Sequence, residues 1–284
     1  MDYVIPSEVV AEAGQLARKK AELSISSMLV RGMLAGAFLG FATSLSITVE
    51  TQGVPPIVGA ILFPVGFVML VLLGLELATG NFALFPIGIM SQKVRWWELL
   101  RNWTWVYAGN LIGSVLYAAL FYLAITNCGT NDGAAVGALV KQIAQKKTLG
   151  YAAVGGSGWV AALVKGVLCN WMVTAGAVLA LTSRSSIGKI TAMWLPIMLF
   201  FALRYEHSIV NMYVIPSGIM LGAKISFRDW WLWNQVPVTI GNIFGGAFFT
   251  GAALFLAHGP QTAPTPKLVP KLEPALAQQN EAGV

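Results

Sequence analysis

The sequence predicts an all-α integral membrane protein of six transmembrane helices, built as an inverted 3+3 repeat with broken second and fifth helices. Three observations predict this. Apolar residues make up 56% of the 284 positions and charged residues only 11%, against the roughly 25% charged share of a soluble domain. Uncharged runs long enough to cross hydrocarbon as helices recur along the chain, without the short alternating segments of a β-barrel. Finally, the two halves of the chain resemble each other.

Residues 1–28 read as an amphipathic helix lying in the cytoplasmic membrane interface. Pro6 and Ser7 signal its start, Glu8 suits its first turn, and Arg18, Lys19 and Lys20 can meet lipid headgroups. No apolar core precedes residue 29, so no cleavable signal peptide is expected there. The spans are expected at 29–49, 56–92, 100–126, 158–182, 190–222 and 234–257, giving one six-helix membrane domain over 29–257. From residue 258 to 284 the chain is rich in Pro, Lys, Gln and Ala and reads as a disordered cytoplasmic tail.

Orientation follows from Lys and Arg. With the N-terminus inside, ten fall on inner segments (Arg18, Lys19, Lys20, Lys93, Arg95, Arg101, Arg184, Lys189, Lys267, Lys271) and five on outer loops (Lys141, Lys146, Lys147, Lys224, Arg228). Both termini are therefore expected in the cytoplasm. The net charge of +6 is spread over loops and forms no nucleic-acid stripe. Cys128 and Cys169 lie far apart and suggest neither a disulfide framework nor a metal site. No paired nucleophile and base, metal-ligand cluster or nucleotide loop points to an enzyme, and no cofactor is expected.

The second and fifth runs each exceed 30 residues, whereas one crossing takes about 20. Each is interrupted: Gly74, Glu76, Thr79, Gly80 and Asn81 break the first, and Arg204, Glu206, His207, Ser208 and Asn211 the second. Charged groups and irregular backbone at that depth are tolerated only against protein or a water-filled cavity.

These interruptions are also the centre of the repeat. Glu76, Asn81, Pro86, Gly88 and Met90 match Glu206, Asn211, Pro216, Gly218 and Met220 at an offset of 130 residues. GNLIG at 109–113 matches GNIFG at 241–245 at an offset of 132. Val30, Arg31, Gly32 and Leu34 match Val164, Lys165, Gly166 and Leu168 at an offset of 134. The repeats cover about 29–126 and 158–257. Three spans per repeat is an odd number, so the second copy must enter the membrane from the opposite face. Paired broken helices in such an architecture mark the permeation site.

With those residues in view, the sequence resembles the formate–nitrite transporter family from about residue 8 to 257. The most specific segment is YEHSIVNMYVIPSGIMLG, Tyr205 to Gly222. It is joined by LELATGN (75–81), NWTWVYAGNLIGS (102–114), LCNWMV (168–173) and PVTIGNIFGG (237–246), all in family order. The resemblance implies an aquaporin-like protomer with its own pore, a homopentamer, and a small monovalent anion as partner, with nitrite ahead of formate. Bicarbonate or hydrosulfide on the same fold, and a neutral-solute channel with a structural histidine, are the alternatives. The expected location is the plasma (inner) membrane of a bacterium, with the lipid bilayer as the remaining partner and no nucleic acid.

The expected pathway residues are His207, Thr79, Asn170, Asn242 and Lys165. A mid-membrane histidine can donate, accept and exchange protons near neutral pH, and so serve a weak-acid anion. By resemblance Thr79 faces it across the pore. Asn170 and Asn242 match asparagines flanking the pore centre, where amides provide a polar waist, and Lys165 lines the outer vestibule and attracts anions. Phe63, Phe67 and Phe200 match the constrictions, Phe63 and Phe200 as the cytoplasmic slit and Phe67 as the outer one. Glu76 and Glu206 would repel an anion and are expected to act as supports, Glu206 orienting its neighbours. Arg204 departs from the family pattern, which has a small residue there, often glycine. It can draw anions to the inner constriction or pair with a glutamate at a subunit interface.

Overall fold

The computed structural model describes residues 2–260, so the expected disordered tail lies, from residue 261, outside the described residues. The first half comprises α1 (Pro6–Ala21), α2 (Ile25–Glu50), α3 (Pro56–Leu72), α4 (Ala78–Met90) and α5 (Trp96–Ile125). The second comprises α6 (Ala134–Lys147), the single turn α7 (Leu149–Ala152), α8 (Gly156–Thr182), α9 (Ser186–Ala202), α10 (Ser208–Met220) and α11 (Phe227–His258). Among the described residues, α2, α5, α8 and α11 are each long and apolar enough to cross a membrane, while α3, α4, α9 and α10 are shorter apolar helices.

The helix ends follow local chemistry. Pro6 opens α1 at a position needing no N–H, Glu8 sits in its first turn, and Arg18, Lys19 and Lys20 sit in its last, each sign matched to the helix dipole. Ser24 caps α2 by accepting the Ser27 N–H at 3.2 Å. The Arg95 N–H that opens α5 donates to Glu98 at 2.8 Å.

The two overlong runs end their first helices in the same way. In the first, the Leu75 N–H reaches the Leu70 carbonyl (2.9 Å) and the Gly74 N–H the Val71 carbonyl (3.0 Å). In the second, Tyr205 reaches Phe200 (3.1 Å) and Arg204 reaches Phe201 (3.0 Å). This paired closure requires a left-handed residue at its corner; Gly74 supplies it with φ +63° and Arg204 with φ +54°.

The packing repeats as well. α2 lies along α5 as α8 lies along α11; α3 packs on α2 as α9 does on α8; α4 meets α11 as α10 meets α5. The repetition extends to α1, which packs on α4 as α6 packs on α10. Glycine makes the closest of these contacts. A Cβ on Gly109 of α5 would stand 2.7 Å from the Leu29 carbonyl oxygen and 3.1 Å from Gly32 Cα of α2. Its repeat mate Gly241 meets Gly166 at the same 3.1 Å. In hydrocarbon, where lipid is as apolar as leucine, close backbone approach is what holds helices together. Large apolar side chains such as Ile112, Leu116 and Leu120 of α5 and Phe244 and Phe248 of α11 stay on the outer surface.

Candidate functional site

The N-terminal ends of α4 and α10 meet at the centre of the molecule. Both helices follow a residue in extended conformation, Leu77 (φ −117°, ψ 117°) and His207 (φ −111°, ψ 117°). A broken helix frees backbone donors and acceptors that hydrocarbon cannot satisfy. Here two asparagines from the long helices satisfy them in the same way. Asn110 accepts the Ala78 N–H (2.9 Å) and donates to the Gly32 and Glu76 carbonyls (both 2.9 Å). Asn242 accepts the Ser208 N–H (2.9 Å) and donates to the Gly166 (2.8 Å) and Glu206 (3.0 Å) carbonyls.

These bonds correct the expectation for Asn242. Its whole amide is engaged by backbone, so it clamps the break and offers nothing to a passing solute. Asn170 differs. Its Nδ2 holds the Thr79 (3.1 Å) and Asn242 (2.6 Å) carbonyls, while its buried Oδ1 has no hydrogen-bond partner.

The glutamates are held by a second repeated network. Glu76 accepts from Lys20 (2.6 Å) and Asn81 (2.8 Å), and Asn81 also donates to Asn102 (2.8 Å). Glu206 accepts from Lys147 (2.7 Å), Asn211 (2.8 Å) and the Tyr151 hydroxyl (2.8 Å), and Asn211 donates to Asn234 (2.8 Å). Lys20 was expected among lipid headgroups, and Lys147 entered the sequence reading only as a loop charge. Both turn inward instead, because a carboxylate at this depth needs an opposite charge. The sequence did hold a signal: each lysine precedes its half's glutamate by a similar stretch, 56 and 59 residues.

At the centre the repeat breaks down. At the offset of 130, His207 corresponds to Leu77 and Thr79 to Ile209. Each half thus contributes one polar side chain, and the two meet: Thr79 Oγ1 lies 3.2 Å from His207 Nε2. Both are buried, at 0% and 2% exposure. His207 Nδ1 accepts the Val210 N–H at 3.2 Å, so the neutral ring carries its hydrogen on Nε2, facing Thr79.

Two cavities approach this pair. One, about 670 Å³, is lined by His207, Phe200, Arg204 and Lys165 together with Lys147 and Tyr151 from the α6–α7 segment. The other, about 580 Å³, is lined by Phe67, Leu77, Gly80 and Arg31 together with Lys19 and Lys20 of α1. Phe63 stacks on Phe201 at 3.9 Å and meets Phe200 edge-on at 5.7 Å, and Phe200 stacks on the His207 ring at 5.7 Å. The slits are therefore the reverse of expectation. Phe63 and Phe200 close the cavity beside α6, and Phe67 the one beside α1. Arg204 likewise lies on the α6 side, away from the N-terminal helix, and its partner is Glu50 of the same chain at 3.6 Å. Lys165 lies in that cavity as expected, its Nζ 5.4 Å from the centre of the Tyr151 ring.

Residues 7–256 match the model of the family described as formate/nitrite transporter. The chain belongs to the formate/nitrite transporter family. It is an integral membrane protein of a family of anion channels and transporters rather than enzymes. Its relatives in this family include a probable formate transporter of Methanothermobacter thermautotrophicus, 35% identical over 89% of this chain and 96% of that one. They also include formate channel BtFdhC of Bacillus thuringiensis, 32% identical over 90% and 95%, and formate channel FocA of Escherichia coli K12, 28% identical over 90% and 95%. Among solved structures, an FNT family ion channel shares the fold with a TM-score of 0.75 at 24% identity, over 89% of this chain and 98% of that one. A pentameric formate channel with formate bound aligns at a TM-score of 0.67 and 27% identity, over 82% and 97%.

Proposed function

We propose that this family member conducts a small monovalent anion together with a proton, and that formate is its foremost substrate, with nitrite next. The sequence reading put nitrite first; the names carried by the relatives favour the reverse order. The proposal includes a six-span protomer in a homopentamer, in the plasma (inner) membrane of a bacterium, with both termini cytoplasmic. The observation that carries it is the Thr79–His207 contact, the one polar meeting between two phenylalanine-gated cavities.

An anion entering the α6-side vestibule meets Lys165, whose positive charge raises its local concentration. The phenylalanines strip its water. The His207 Nε2–H and the Thr79 hydroxyl then replace that water as hydrogen-bond donors, and the α4 and α10 N-termini add partial positive charge. The Coulombic cost of an anion in this apolar passage favours taking up a proton from the vestibule water at the oxygen facing the pair. The weak acid crosses neutral and releases the proton beyond the second slit.

The test is uptake of labelled formate into proteoliposomes, with and without an inward proton gradient. Wild type should respond to the gradient. His207→Ala should lose that response and about tenfold or more in rate, the worth of one charge-assisted hydrogen bond. A second reading rests on the Val210 cap, which gives His207 a structural task. In that reading the protein is a neutral-solute channel, and a folded His207→Ala protein would transport like wild type.

A further inference from the structure

We propose that Arg204 is a specificity-determining residue of the α6-side vestibule. Its guanidinium captures anions that carry two oxygens on one planar atom and passes over anions that lack this fork, such as hydrosulfide. The inference rests on the proposed anion transport and deepens it.

The first observation is where the backbone places an arginine. Arg204 occupies the left-handed corner that closes α9, at φ +54°. Its repeat mate is Gly74, at φ +63°, in a conformation that glycine adopts freely and a residue with a Cβ does not. The two turns close with the same hydrogen bonds, so the turn needs no side chain here. The arginine is held against the local preference of the backbone.

The second observation is where its side chain goes. Arg204 lines the same cavity as Phe200 and His207, three residues before the histidine in sequence. Its side chain is 59% exposed, and its nearest carboxylate, Glu50 of α2, is 3.6 Å away, beyond hydrogen-bonding distance. The guanidinium donors therefore remain largely available to the vestibule. The cavity's other cations are disposed differently. Lys147 is bound to Glu206 at 2.7 Å, and Lys165 faces the Tyr151 ring.

The third is the chemistry of the fork. A lysine ammonium is a point charge that attracts any anion. A guanidinium is planar and presents parallel N–H donors that match two oxygens on one atom. Formate, nitrite and bicarbonate have that arrangement; hydrosulfide has one sulfur. Lys165 thus supplies attraction and Arg204 supplies shape, ahead of the phenylalanine slit. Glu50 competes for the same donors and sets how readily they are released.

The experiment compares initial uptake of formate, nitrite and hydrosulfide into proteoliposomes, corrected with empty vesicles, for wild type, Arg204→Lys, Arg204→Gly and Glu50→Gln. Arg204→Lys keeps the charge and should lower the formate-to-hydrosulfide kcat/KM ratio by about five- to tenfold, through formate alone. Arg204→Gly should lower the ratio similarly with a Tm at or above wild type, since glycine suits the turn, so misfolding would not account for the loss. Glu50→Gln should lower the KM for formate and leave that for hydrosulfide unchanged. An Arg204→Lys protein with the wild-type ratio would overturn the inference while leaving anion transport standing. A wild-type protein that carries none of the three anions would overturn the proposed function and this inference together.

Discussion

At the scale of the residue, the functional centre depends on two buried ion pairs more than on any exposed group. Glu206 and Lys147 have side-chain exposures of 4% and 18% at 2.7 Å, and Glu76 and Lys20 pair at 2.6 Å with 2% and 13%. Removing one partner of such a pair strands a charge, at a cost of about 3–5 kcal/mol, while removing both costs far less. Lys147→Met should therefore lower the thermal stability of the purified protein sharply, and the double variant Lys147→Met with Glu206→Gln should recover most of the loss. Lys20→Met should behave like Lys147→Met, because the networks are copies. His207 and Thr79 were visible in the sequence as polar residues inside two broken apolar runs. The lysines were not, because their partners lie 56 and 59 residues away and nothing local distinguishes an inward lysine from one that snorkels to headgroups.

At the scale of the element, the break turns and the glycine contacts carry the architecture. Gly109 touches the α2 backbone so closely that Gly109→Val should drive α2 and α5 apart, at about 1–3 kcal/mol or more. Its expected signature is a lower yield of folded protein in size-exclusion chromatography. The N-terminal strap is a second elemental device. Asp2 accepts the Ser183 hydroxyl (2.8 Å) and the Arg184 and Ser185 N–H groups (2.7 and 2.8 Å), the Val4 N–H reaches the Thr182 carbonyl at 2.8 Å, and Glu12 pairs with Arg184. The Ser183 hydrogen bond, followed by those of the two N–H groups, holds the Asp2 carboxyl below its usual value of 3.8. A depressed folded-state value means that the strap's contribution is present above about pH 4 and lost as the pH falls through the lower value. Limited proteolysis should find the first residues protected from about pH 4 to 8, and cleaved throughout that range in Asp2→Ala. Gly74 announced its turn in the sequence. Arg204 did not, because a non-glycine residue in the left-handed region is chosen by the structure around it.

At the scale of the whole molecule, the repeat extends further than its sequence suggests. The matched motifs span 29–126 and 158–257, yet α1 and α6 also correspond, each delivering a lysine to its half's glutamate. Sequence comparison misses this because the two helices share little beyond that lysine and an apolar face. The apolar surfaces of α5 and α11 leave ample area for lipid and for neighbouring protomers. The proposed homopentamer should appear in native mass spectrometry or light scattering at about five times the 30.3 kDa chain mass. A detergent-independent monomer would remove that part of the proposal.

The sequence alone determined the class of the molecule, its repeat, the location of its two interruptions and the family resemblance. All of these are carried by hydropathy and short motifs, which are local along the chain. The tertiary structure decided what each polar group does. It turned Asn242 into a backbone clamp and Lys20 and Lys147 into buried partners. It exchanged the sides of the phenylalanine slits and placed Arg204 at the mouth of the α6-side vestibule. The reason is that a polar group inside a membrane takes its role from the partner it can reach. That partner is set by how the two halves pack, because in hydrocarbon no water is present to satisfy it in any other way.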